Sequence, residues 1–234
     1  MVKYFIFIFI GAGLWACSSV STITVNARTT PVINEGNSPN SVDSVIAPYK
    51  SELEAEMNEV IAHATQNFEK GRPGGALNNW AADAALQSQI RNARLKGPTF
   101  CLLNVGGLRN TINQGEVTLA DIFKVMPFDN EIVWVELPVS TLKKIEVYLA
   151  ASGGEPIAGA RLKNGRLEVD GMNEDTQTVW VITSDYLFNG GDNMSFFKEK
   201  ISASPTNVLL RDAFIEEAKL QGTLIWNDEN RIEF

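Results

Sequence analysis

With 234 residues the chain is long enough for one large domain or two small ones, and 44% hydrophobic with 21% charged side chains is an ordinary globular balance. The formal charge of −8 is spread along the chain in interspersed acidic and basic residues, which excludes the basic stripe a nucleic-acid duplex requires. Any phosphate has to be met by a few placed arginines, and the single histidine, His63, leaves no obvious metal or hydrolytic centre.

The chain opens MVKYFIFIFIGAGLWAC: one lysine, an apolar stretch from Tyr4 to Trp15 too short to span a bilayer, a small residue and a cysteine. This resembles a bacterial lipoprotein signal. The resemblance implies a signal peptide over 1–16, with Leu14, Trp15 and Ala16 as the lipobox and Cys17 as the lipidated N-terminus, although Trp15 is bulkier than the pattern prefers. It places the chain in the cell envelope, at the outer membrane or periplasm of a Gram-negative-type bacterium. The alternative is a plain secretory peptide or an uncleaved apolar leader. Residues 17–43, rich in Ser, Thr, Asn and Pro, read as a tether with at most one short strand at STITVNA.

The domain proper is expected over 44–234. Leu53, Met57, Val60, Ile61 and Ala64 fall at helical spacing, which predicts one amphipathic helix from Lys50 to Phe68 with His63 as a partly exposed helix residue rather than a ligand. A turn at Lys70–Gly75 and a helix over Leu77–Leu95 follow. Pro98–Leu103 reads as a buried strand; it holds Cys101, an apolar strand residue rather than a nucleophile, which has no disulfide partner once Cys17 is acylated. Thr118 with Asp121 marks the start of a short helix that stops before Pro127. Alternation predicts a strand over Glu131–Leu137, then Ser140 caps a helix to Ala151, with further strands over Ala160–Val169 and Thr178–Ser184. Thr206–Leu220 reads as a last amphipathic helix. Strands and helices mix without a βαβ period, so the fold class is α+β, a layered sandwich of mixed strands and helices.

Three segments end apolar runs with residues suited to a small-molecule site: NVGGLR (104–109), VMPFDN (125–130) and DYLFNGGDN (185–193). Asn104 and Arg109 bracket two glycines, so an amide and a guanidinium can reach a ligand lying close to the backbone; the alternative is a Gly-Gly turn with a surface arginine. Phe128 and Tyr186 stand on loops at strand ends, where two rings can sandwich a planar base, and each taken alone can equally be core packing. Asp192, after Gly190 and Gly191, is either a carboxylate that accepts a pair of hydroxyl groups or an Asp in a glycine turn.

Together and in this order, PYKSELEAEMNEVI, ALNNWAADA, NVGGLR, GEVTLADIFKVMPFDN and DYLFNGGDN resemble the C-terminal, substrate-binding domain of the 5′-nucleotidase family, over roughly Val45 to Ser195. The resemblance implies that Phe128 and Tyr186 stack on the nucleobase, with Tyr in place of the more usual Phe. It further implies that Asp192 binds ribose, that Asn104 and Arg109 contact the nucleoside and its phosphate end, and that Arg72, one position displaced from the family pattern, is a further phosphate contact. The family's metallophosphatase domain holds two divalent metals through several His, Asp and Asn residues, and no Asp-x-His or Gly-Asn-His pattern occurs here.

The expectation is therefore a nucleotide-recognition subunit that binds an AMP-like nucleotide or nucleoside. It needs no cofactor of its own, is anchored to a membrane by lipid, and relies on a separate metallophosphatase chain carrying the two metals. The other readings are a scavenging lipoprotein with no catalytic partner and a structural protein with a vestigial cleft.

Overall fold

The computed structural model describes residues 41–91 and 97–234, so the expected leader, Cys17 and most of the tether lie outside the described residues. In chain order the elements are α1 (Ser41–Met57), β1 (Val60–Ala64), α2 (Ala76–Ile90), β2 (Thr99–Leu102), β3 (Gly115–Thr118), α3 (Leu119–Val125), β4 (Glu131–Pro138) and α4 (Leu142–Ser152). They continue with β5 (Ile157–Ala158), β6 (Ala160–Lys163), β7 (Arg166–Val169), β8 (Thr178–Ser184), α5 (Asp185–Phe188), β9 (Ser202–Leu209), α6 (Leu210–Gln221) and β10 (Thr223–Leu224). Residues Val45–Phe234 form one compact unit.

A mixed five-stranded sheet, ordered β5-β2-β8-β4-β9, divides two cores. Alternate residues of β2 serve opposite faces: Cys101 packs with α2, α3 and α6, whereas Phe100 and Leu102 pack with α4 and the β6–β7 hairpin. With both faces covered, its inner strands β2 and β8 are largely buried along their length. Cys101 is fully buried, and desolvation, reinforced by Asp83, pushes its thiol up, so it stays protonated and inert. The all-but-encircled α2 is rich in alanine; Trp80 fills the space toward α6, its ring 5.5 Å from Phe214 and 6.5 Å from Phe68.

Three expectations are corrected. The helix predicted over Lys50–Phe68 stops at Met57, and Val60–Ala64 is a strand between β3, antiparallel, and β10, parallel, which puts His63 on an exposed strand position. Two β-branched residues at 60 and 61 favour that pairing, and the backbone partners come from residues 115–118 and 223–224, far along the chain. The helix predicted over Thr206–Leu220 begins only at Leu210, because Ser202–Leu209 is claimed by the edge of β4. The strand expected over Ala160–Val169 is a hairpin, turned at Asn164 and Gly165, both of which take positive φ.

The start of α3 matches its expectation. Thr118 accepts from the Asp121 amide at 3.3 Å, while the Asp121 carboxylate accepts from the Thr118 amide at 3.0 Å and hydroxyl at 2.7 Å and from Lys124 at 3.0 Å. Partial burial alone would raise the Asp121 pKa, but the bonds from Thr118 and Lys124 outweigh it and hold the group below its ordinary 3.8. A depressed folded-state pKa stabilises the fold above the unfolded value and loses that contribution as pH falls through the folded one. Asp121→Asn is therefore expected to lower the urea midpoint at neutral pH, with the gap to wild type closing below about pH 3.8. A gap that is constant with pH would refute this role.

Candidate nucleotide cleft

Sheet topology brings the three turn segments to one place. Strands β2 and β8 run parallel, so Asn104, just past one, and Asp185–Tyr186, just past the other, leave the same end of the sheet. Strand β4 is antiparallel to β8, with Ile132 opposite Ser184, so the residues that precede it, Phe128 to Asn130, enter at that same end. The result is a cavity of about 530 Å³ with Asn104, Arg109, Phe128, Asp129, Tyr186 and Asp192 in its wall. Phe128 is 41% exposed and Tyr186 48%, so neither ring is spent on the core. A larger, more open polar depression of about 710 Å³ near Lys70 has a single aromatic, Trp226, in its wall.

The groups in the wall are cross-tied. Asp192 accepts from the Asn104 amide at 2.6 Å through one carboxylate oxygen and from the Tyr186 hydroxyl at 2.8 Å through the other. A carboxylate offers about four lone-pair positions, so acceptor capacity remains on both oxygens. Asp192 itself takes a left-handed conformation, φ 50°, which aims it back over the turn. The Asp192 bond holds the Tyr186 hydroxyl above the usual phenol range, keeping it a proton donor at neutral pH. Asp185 joins the two aromatic loops, because its Oδ1 accepts from the Asn130 side-chain amide at 2.9 Å and from the Tyr186 backbone amide at 2.7 Å.

Two glycines make room for these ties. A Cβ on Gly107 would lie 2.7 Å from Asn104 Oδ1, and one on Gly191 would lie 2.4 Å from the Tyr186 ring. The Asn104 side chain thus folds across the first glycine, and the tyrosine ring rests against the second. The Arg109 guanidinium lies 5.8 Å from the centre of the Phe128 ring and donates to the Gly106 carbonyl at 3.3 Å.

Five of the six residues singled out from sequence, Asn104, Arg109, Phe128, Tyr186 and Asp192, line this one cavity. Arg72 does not. Its guanidinium donates to the Ser152 carbonyl at 2.6 Å, to the Gly154 carbonyl and to the buried Glu155 carboxylate at 2.8 Å. The other Glu155 oxygen accepts from the Val105 amide at 2.8 Å, so Arg72 supports the NVGG turn from behind. Sequence reading gave no role to Glu155, Asp185, Asn130 or Asp129; of these only Glu155 lies outside the three recognised segments. Among the described residues no three His, Cys, Asp or Glu side chains cluster in a way that could hold a metal ion, and this donor set does not fit a two-metal centre.

A sheet end carrying two exposed aromatics, a tied carboxylate and one arginine has the make-up of a small-molecule recognition site. Residues 60–146 match the family described as 5′-nucleotidase, C-terminal domain. The chain is 25% identical over 132 residues to Protein UshA of Yersinia enterocolitica, covering 56% of this chain and 24% of that protein. It is 26% identical over 204 residues to the trifunctional nucleotide phosphoesterase protein YfkN of Bacillus subtilis, covering 76% of this chain and 14% of that one. Among solved structures it shares the fold of a 5′-nucleotidase precursor from Thermus thermophilus, with TM-score 0.66 and 23% identity over 82% of this chain and 42% of that one. The chain thus spans a quarter or less of the length of these curated relatives.

Proposed function

We propose that this chain is the nucleotide-recognition half of a split 5′-nucleotidase, holding the base and ribose of an AMP-like nucleotide while a metallophosphatase unit on a second polypeptide supplies two divalent metals and the hydrolytic water. The observation that carries the reading is that Phe128 and Tyr186, both exposed, border one cavity with Asp192 and Arg109. A planar base fits between aromatic faces. The remaining acceptor capacity of Asp192 fits ribose hydroxyls, with Asn104 beside them, and Arg109 gives the phosphate end its cation. On the pattern of its leader, lipid on Cys17 would keep the chain at the envelope, where extracytoplasmic nucleotides are met.

The test is calorimetry with AMP, adenosine and ribose 5-phosphate, followed by phosphate release from AMP with Mn²⁺ or Zn²⁺, for this chain alone and with proteins that co-purify from envelope fractions. Binding without turnover by the chain alone, and turnover once a phosphatase chain is added, is the expected pattern. Metal-dependent turnover by the purified chain alone would overturn the split arrangement, and no heat with any nucleotide would overturn recognition itself.

A further inference from the structure

The first turn of α6 holds the Phe128 loop. Leu210 donates its backbone amide to the Asn130 carbonyl at 2.8 Å. The next residue, Arg211, is 9% exposed, and its guanidinium makes a 2.6 Å ion pair with Asp129 and a long 3.4 Å bond to the Phe128 carbonyl. Its flat face lies 4.3 Å from the centre of the Phe123 ring on α3. The arginine Nε is buried without a hydrogen-bond partner, a penalty that an apolar residue at 211 would avoid. Stability alone is a poor reason for a guanidinium here. Its hydrogen bonds run instead to the two residues that set where the Phe128 ring stands.

The structure assigns Arg211 as the positioning residue for the Phe128 face of the cleft, an assignment that rests on the nucleotide reading above for its purpose but not for its geometry. The arginine comes from outside the three turn segments and beyond residues 60–146. Asp129 is 78% exposed at its side chain, so the charge pair is anchored from the buried end, with Arg211 as the fixed member and the loop as the member held. Through Asn130 the same loop is tied to Asp185 and hence to Tyr186, so a shift at Arg211 alters the spacing between both rings.

The test replaces Arg211 with Met, which keeps the apolar stem and removes the guanidinium, and with Lys, which keeps charge but not the planar fork. A 4-fluorophenylalanine at position 128 reports the ring by ¹⁹F NMR without any ligand. In wild type one dispersed line is expected, and in Arg211→Met it moves toward the free amino acid and broadens. AMP affinity should fall about tenfold in Arg211→Met, and somewhat less in Arg211→Lys, while ribose 5-phosphate affinity stays within about twofold. In a Phe128→Ala background the Arg211 substitution should add little. An unmoved fluorine line, or equal losses for AMP and ribose 5-phosphate, would overturn the assignment. A line that moves in a protein whose wild type binds no AMP would leave the assignment standing and sink the nucleotide reading instead. Should Arg211→Met fail to fold, Asp129→Asn removes the pair from its exposed end, and the same shift in smaller measure is expected.

Discussion

Replacing Phe128 and Tyr186 together by alanine is expected to remove measurable AMP binding while leaving the fold intact. Each ring offers a stacking face worth roughly 1–3 kcal/mol, so the pair supplies about 2–6 kcal/mol. At about 1.4 kcal/mol per factor of ten, that is a loss of roughly thirtyfold up to roughly twenty-thousandfold. Both side chains are exposed, so their removal opens no core cavity, and the urea midpoint should hardly move. Tyr186→Phe separates two roles. It keeps the ring and deletes only the donor to Asp192, so a smaller loss is expected, felt by ribose-bearing ligands and little by the free base. Calorimetry with AMP, adenosine, adenine and ribose 5-phosphate reads all of these. Wild-type affinity in the double variant would show that the base lies elsewhere.

Trp80→Ala is the second large effect and bears on stability alone. Trp80 is 2% exposed at the junction of α2 and α6, against Phe68 and Phe214, with its indole N–H on Gln221 at 3.3 Å. Truncating a buried Trp costs about 3–5 kcal/mol, a large part of the 5–15 kcal/mol that holds a domain of ordinary stability. The urea midpoint should fall steeply with little change in slope, and AMP affinity of the folded protein should be unchanged because the ring's partners Phe68, Phe214 and Gln221 are not in the wall of the cleft. A loss under about 1 kcal/mol would mean that the α2–α6 contact is not the main closure of this core.

The contrast between what local pattern revealed and what it hid follows from where each signal comes from. Strand β8 falls where alternation placed it, Thr178–Ser184, and the Thr118–Asp121 pair announces α3, because both depend on neighbouring residues. Strand β1 was hidden because Val60, Ile61 and Ala64 fit helical spacing with Leu53 and Met57; only partners at 115–118 and 223–224 decide between the two. Strand β9 is polar and at a sheet edge, so it has no apolar alternation to see, and its place is fixed by β4. The cleft was legible for a similar reason: Gly, Asn, Asp and aromatic residues at the ends of apolar runs mark turns, and turns at strand ends are where sites form. Convergence of those turns depends on the parallel pairing of β2 with β8, which no local pattern shows. Arg72 looked free in sequence because Glu155, which captures it, is 83 residues away. Arg211 escaped notice because its apparent setting was the middle of a helix.

The tyrosine seated on Gly191 has a practical consequence. Because the backbone at 191 needs no left-handed conformation, alanine there is allowed by its own geometry and forbidden only by the ring above it. A single methyl group would therefore act as a doorstop, propping the aromatic wall away from its carboxylate while every ligand-contacting side chain keeps its chemical identity. The aperture of this recognition surface can in that way be adjusted from beneath, independently of the groups that do the recognising.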